Sequence, residues 1–186
     1  MKLKKLFVGI QLQKNIGEKL LKEAQDSVEF GLLPIKWIDK DNFHITLEFL
    51  GYADDDQACQ IAKRLRTSLR NFPPFPVYLD KIAFGPPDKL PEMIWASGPE
   101  NIFLKELNKK IITDLSDMYL LKRKAKFKFS AHITLGRLSR QEAKNLSETP
   151  KKNIKINFTV SEIALMESFQ EKNKTKYAVL ESIKLK

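Results

Sequence analysis

The 186-residue sequence contains one cysteine, Cys59, and two histidines. A single thiol forms no intrachain disulfide, so a disulfide-stapled scaffold is excluded and a reducing, cytoplasmic setting is the default expectation. With so few soft ligands the chain has no material for a zinc site. No window approaches the roughly 18 continuous apolar residues that a membrane span requires. The basic start Met1-Lys-Leu-Lys-Lys has the look of a signal peptide, but Gln11 breaks the apolar run and no small-residue cleavage site follows, so it reads as a first strand. Neither GxxxxGK[ST] nor GxGxxG occurs, which leaves ATP and dinucleotide binding without support. Asp54-Asp55-Asp56 lacks the alternate ligand spacing and the glycine of a calcium loop and reads instead as a helix start. No metal and no cofactor are expected.

Charge and apolar content are both plentiful. Lys plus Arg number 33 against 23 Asp plus Glu, a net charge of +10, while 42% of residues are hydrophobic and 12 are Phe. Such a chain is too apolar for a disordered basic tail, so its positive excess sits on a folded surface and points to an anionic partner, nucleic acid first among them. The length suits a single domain covering residues 1–186, or two small lobes sharing one core.

Lys5–Leu12 reads as a strand and Asn15 to about Glu29 as a helix with Ile16, Leu20, Leu21 and Ala24 on one face. After Gly31 and Pro34, an extended Ile35–Ile38 leads into a strand over His44–Leu50, closed by Gly51. Asp54 with Gln57 three residues on marks the start of an amphipathic helix running through Ser68. Strands follow at Phe75–Phe84 and Met93–Ser97, then a helix carrying Leu104, Leu107, Ile111, Leu115 and Met118 on one stripe. A strand over His132–Leu138, a brief helix around Gln141–Leu146 and alternating strands to Leu185 complete an order of roughly βαββαββαβαββ. Irregular mixing of strands and helices predicts an α+β fold, antiparallel sheet covered on one side by helices.

Each of the two histidines begins the same tetrapeptide, His44-Ile45-Thr46-Leu47 and His132-Ile133-Thr134-Leu135. In a strand, side chains alternate faces, so His and Thr share one side, about 6.6–6.8 Å apart along the strand, while Ile and Leu enter the core. A lone histidine beside apolar residues is most often a packed side chain; two copies 88 residues apart suggest two similar lobes presenting one motif each to a shared cleft. Paired imidazoles suit acid–base chemistry, one neutral and one protonated near neutral pH. Uncharged Thr hydroxyls suit the non-bridging oxygens of a phosphate. Identical motifs do not themselves say which histidine is the acid.

The two HxT motifs, together with Lys5-Leu-Phe-Val-Gly-Ile, Ile35-Lys-Trp-Ile, Ile94-Trp-Ala and the late Glu167-Ser168 before Tyr177-Ala-Val-Leu, resemble the 2H phosphoesterase superfamily. Within it they look most like the RNA 2′,3′-cyclic phosphodiesterases, also called the LigT-like or 2′-5′ RNA ligase family. The resemblance implies a bilobal α+β fold with a pseudo-twofold axis, both motifs in the central cleft, and hydrolysis of a terminal RNA 2′,3′-cyclic phosphate to a 2′-phosphate. It implies His132 as the base that activates water, His44 as the acid that protonates the departing 3′-oxygen, Thr46 and Thr134 as phosphate holders, and Arg137 as an aid to phosphate or nucleotide binding. Strand parity puts Arg137 opposite His132, so the strand must end or bulge near Gly136 for it to contribute. The implied partners are RNA with cyclic phosphate ends, tRNA fragments among them, or small cyclic nucleotides, met by a monomer.

Ser130-Ala131 stands where the family often has a basic residue and proline. Glu48 shares the parity of His44 and Thr46 and would repel a phosphate, so it is expected to splay to the cleft rim. Lys122–Phe129 interleaves five basic residues with aromatics, either a solvated edge or a phosphate-tracking strip. Trp37 and Trp95 read as core or cleft wall. A 2′-5′ phosphodiesterase or ligase is the alternative within the same chemistry, and a non-catalytic RNA-binding module is the alternative of another class.

Overall fold

Apolar side chains at strand and helix spacing meet in one core, and that fixes which sheet face stays open. The computed structural model describes residues 3–31, 33–87, 89–118, 129–146, 149–172 and 174–186, so the basic strip Lys122–Lys128 lies outside the described residues. The elements run β1 (Lys4–Gln11), α1 (Lys14–Gln25), α2 (Val28–Gly31), β2 (Lys36–Trp37), β3 (His44–Ala53), α3 (Asp55–Leu69), β4 (Phe75–Gly85), β5 (Met93–Ser97), α4 (Ile102–Asp114), β6 (Ile133–Arg137), α5 (Arg140–Lys144), β7 (Lys151–Val160), β8 (Glu162–Glu171) and β9 (Lys174–Lys184). A short 3-10 turn, Lys40–Asn42, precedes β3.

The α+β expectation holds, with two differences in detail. The first predicted helix is cut at Gln25, because Asp26 caps it and the Ser27 carbonyl starts a new turn by accepting from Phe30 and Gly31; short polar side chains favour such breaks. Among the described residues, three strands, β7, β8 and β9, stand where the abbreviated order ends on two. The Asp54–Gln57 capping box is present, with Gln57 N–H donating to Asp54 Oδ1 at 2.8 Å and Asp54 N–H to Gln57 Oε1 at 3.0 Å.

The described strands form one antiparallel sheet in the order β7-β4-β5-β6-β3-β1-β8-β9, with β2 added beside β6. Its centre is the pairing of Ile45 with Ile133, the second residues of the two motifs. On one side of that centre lie β3, β1, β8 and β9, the first lobe; on the other lie β6, β5, β4 and β7, the second. The halves correspond across a pseudo-twofold axis, for α1 follows β1 as α4 follows β5, and α3 follows β3 as α5 follows β6. Leu6, Val8, Ile10, Ile45 and Ile133 join residues of α1, α3 and α4 in the main core. The opposite face of β1, carrying Lys5, Phe7, Gly9 and Gln11, looks away from those helices and into the cleft.

Candidate active site

Each motif is deformed in the same way. Val8 pairs with Glu48 and Gly9 with Thr46, so Leu47 is an extra residue in β3; Ile94 pairs with Gly136 and Trp95 with Thr134, so Leu135 is an extra residue in β6. A bulge takes its extra residue out of the ladder, and both freed carbonyls are met elsewhere. Asn108, a buried side chain of α4, donates its Nδ2 to Leu47 O at 2.7 Å, and the Ile38 backbone N–H donates to Leu135 O at 2.8 Å. Asn108 was overlooked by periodicity, although an amide on the stripe of Leu104, Leu107 and Ile111 is a signal that a buried carbonyl needs a donor.

The bulges decide which side chains face the cleft. Beyond Leu135, alternation restarts out of step: Ile133, Leu135 and Leu138 are buried while Thr134 is half-buried and Arg137 exposed. Arg137 therefore returns to the side of Thr134; burial raises the pKa of the Tyr177 hydroxyl, and the Arg137 charge opposes that rise. In β3 the same shift turns Glu48 to the side of its partner Val8, a core residue. That corrects the parity expectation for Glu48, which does not share the face of His44.

The two imidazoles have matching supports. His44 Nδ1 lies 2.8 Å from Asn42 O and His132 Nδ1 lies 2.8 Å from Ser130 O, in each case the carbonyl two residues before. A carbonyl only accepts, so Nδ1 carries the proton in both rings and Nε2 keeps a lone pair when the ring is neutral. Burial holds both pKa values below the ordinary imidazole value, opposed at each ring by its carbonyl bond; a proton on His132 lowers that of His44 further. The rings differ in their neighbours. Tyr177 meets His44 edge-on at a centroid distance of 4.7 Å and Phe7 lies at 5.0 Å, whereas Trp95 stacks flat on His132 at 3.7 Å and 18°. Tyr177 and Phe7 also touch each other, at 5.4 Å.

Thr46 and Thr134 are half-buried on the cleft face, opposite Gly9 and Trp95 respectively. Trp95 is thus cleft wall, and Trp37 packs against the core. Beside His132 opens a cavity of about 810 Å³ whose walls include Trp95, Lys81, Lys89, Lys105 and Lys151. Among the described residues no group of three or more His, Cys, Asp and Glu is placed to hold a metal ion, and no helix is long and apolar enough to cross a membrane.

Comparison with known proteins agrees with this arrangement. The LigT like Phosphoesterase family matches residues 10–95. A Methanocaldococcus jannaschii protein named RNA 2′,3′-cyclic phosphodiesterase is 31% identical over 72% of this chain and 71% of its own length. An Aquifex aeolicus protein of the same name is 27% identical over 90% of both chains. The fold is that of E. coli LigT, whose structure complexed with 3′-AMP superposes with a TM-score of 0.81 at 22% identity over 99% of each chain. The paired HxT motifs, the two-lobed antiparallel sheet and these relatives together make the chain a member of the LigT-like phosphoesterases, within the 2H phosphoesterase superfamily.

Proposed function

We propose that the protein hydrolyses the 2′,3′-cyclic phosphate at the end of an RNA, or on a single nucleoside, to a 2′-phosphate. The observation that carries this reading is the matched pair of imidazoles, each tied through Nδ1 to the backbone and each keeping Nε2 for a substrate. Neutral His132 takes a proton from water as the water attacks phosphorus. Protonated His44 gives its proton to the departing 3′-oxygen, so the P–O3′ bond breaks and the phosphate stays on O2′. Thr46 and Thr134 donate to the non-bridging oxygens, where charge builds up, and Arg137 adds a full positive charge at the rim. The names of the Methanocaldococcus and Aquifex relatives support RNA ends as the substrate class, and tRNA fragments are one such substrate in this reading. The working unit in this reading is a monomer in the cytoplasm.

The deciding experiment assays nucleoside 2′,3′-cyclic phosphates and identifies the phosphate position in the product. A 2′-phosphate is expected; tight binding without turnover would instead assign a binding module. Since two imidazoles provide both proton transfers, turnover is expected to survive EDTA. Abolition by the chelator with recovery on adding a divalent metal would overturn that mechanism.

The pH dependence follows from the rings. Catalysis needs one ring neutral and one charged, so kcat/KM should trace a bell, rising as the base loses its proton and falling as the acid loses its own. Because burial lowers both values, the maximum is expected on the acid side of about 6.5, the ordinary imidazole value. A maximum well above neutral, or a flat profile, would contradict this assignment of the two rings.

One observation favours a second reaction at the same site. Hydrolysis needs room only for water beside the base, yet the cavity at His132 is large and lysine-walled. That supports a hydroxyl of a second RNA end in place of water, forming a 2′-5′ linkage. By reversibility the same geometry would cleave 2′-5′-linked dinucleotides, which join the cyclic phosphates in the assay.

A further inference from the structure

Resting on the hydrolase reading above, we propose that the open face of the first lobe is a base-stacking platform for the single-stranded RNA that precedes the cyclic phosphate, with Phe49 and Tyr52 as its stacking surfaces. In an in-line displacement the water enters opposite the departing 3′-oxygen. The terminal nucleoside, and all RNA on its 5′ side, must then lie beside the group that protonates that oxygen. With His44 as the acid, the RNA body extends over the first lobe.

That lobe is built to receive bases. A second register shift in β3, between the pairs Leu6–Gly51 and Phe7–Phe49, makes Leu50 another extra residue. Two bulges turn the usual alternation into steps of two, three and three, so His44, Thr46, Phe49 and Tyr52 lie opposite Gln11, Gly9, Phe7 and Lys5 on the cleft face of β1. Alternate residues of a strand are about 6.6–6.8 Å apart. The platform thus repeats at a step that a splayed single strand can follow, one base per aromatic ring.

Phe49 is 48% exposed and Tyr52 63%, although both are large apolar side chains in the interior of a strand. Beside them on the same face Phe7 and Met166 are buried, and Phe49 packs against its cross-strand partner Phe7 at 6.1 Å. Lys5, exposed on the same face beside Tyr52, supplies a phosphate contact. The comparison of lobes sharpens the point. Three residues after its threonine the second motif places Arg137 and the first places Phe49, so one lobe offers charge where the other offers a ring. Continuity with the His44–Thr46 row on one strand, and the net charge of +10, favour RNA over a protein partner as the occupant.

The test compares kcat/KM for a short single-stranded oligoribonucleotide ending in a 2′,3′-cyclic phosphate with kcat/KM for the mononucleoside cyclic phosphate. Wild type should prefer the oligonucleotide, and Phe49→Ala/Tyr52→Ala should lower the ratio by about 10- to 100-fold, the loss of one or two stacked bases. Because the ratio is read, general damage to the enzyme cancels. An unchanged ratio overturns the proposal, as does a drop seen instead in Lys81→Gln/Lys151→Gln, which would put the RNA body in the cavity at His132. A dimer in sedimentation that the aromatic double variant dissociates would also overturn it, assigning the face to a second copy. Failure of wild type to turn over either substrate would sink the hydrolase reading itself, and the two failures are therefore distinguishable.

Discussion

Replacing His132 with alanine is expected to lower kcat for a nucleoside 2′,3′-cyclic phosphate by about 10²–10⁴-fold, the range that a positioned proton-transfer group supplies. His44→Ala should lose as much on that substrate, because the leaving alkoxide is strongly basic and cannot depart unprotonated. The two variants separate on a phosphodiester whose leaving group is nitrophenolate, a weak base that needs no proton. There His44→Ala should recover most of its loss and His132→Ala should not, since water must still be deprotonated. The opposite pattern would exchange the roles of the two rings, and it would also move the RNA body to the second lobe. Equal recovery by both would remove the acid–base assignment. The rising limb of the pH profile should vanish in His132→Ala and the falling limb in His44→Ala, a change that a merely structural lesion would not produce.

Much of this site was legible because catalysis and strand geometry use the same alternation. His44-Ile-Thr-Leu and His132-Ile-Thr-Leu show at once which side chains face solvent and which enter the core, and Ile45 and Ile133 do pair at the sheet centre. The helices were legible for the same reason, since their apolar stripes and the Asp54 capping box are local in sequence. The bulges were not. Leu47, Leu50 and Leu135 are as apolar as any buried strand residue, and their extra status exists only relative to partners on β1 and β5. Parity counted past Leu47 therefore put Glu48 on the side of His44 and Thr46, the reverse of what its pairing with Val8 produces. Requiring Arg137 to contribute at the site was the one constraint that exposed such a break, expected near Gly136 and found at Leu135. The aromatic neighbours of the two rings were hidden for a related reason: Tyr177 reaches His44 from β9, distant in sequence, and Trp95 reaches His132 from β5.

The Trp95 contact leads to the largest effect expected outside the two motifs. Gly85 ends β4, and a β-carbon built there would stand 2.3 Å from the Trp95 ring. The same ring stacks on His132 at 3.7 Å and 18°, so the indole is in close contact with both a glycine and an imidazole. Its Nε1 is buried with no hydrogen-bond partner among the described residues, and flat packing is the contact its ring makes with His132. Gly85→Ala must displace the ring, and with it the stack on His132, because the backbone of Gly85 is itself held to β5 by the pairing of Phe84 and Gly85. Displacing a proton-transfer group by about an ångström costs on the order of 10²-fold in rate, and kcat is expected to fall by that amount. Overpacking also destabilises, by about 1–3 kcal/mol, so activity must be measured well below the unfolding temperature. Adding Trp95→Phe to Gly85→Ala separates the two contributions: a smaller flat ring accommodates the new methyl while still backing His132, and the double variant should regain activity that neither change alone predicts. Wild-type kcat in Gly85→Ala would show that the stack does not position His132 at all, while loss without rescue would place the damage in the β4–β5 backbone rather than in the ring.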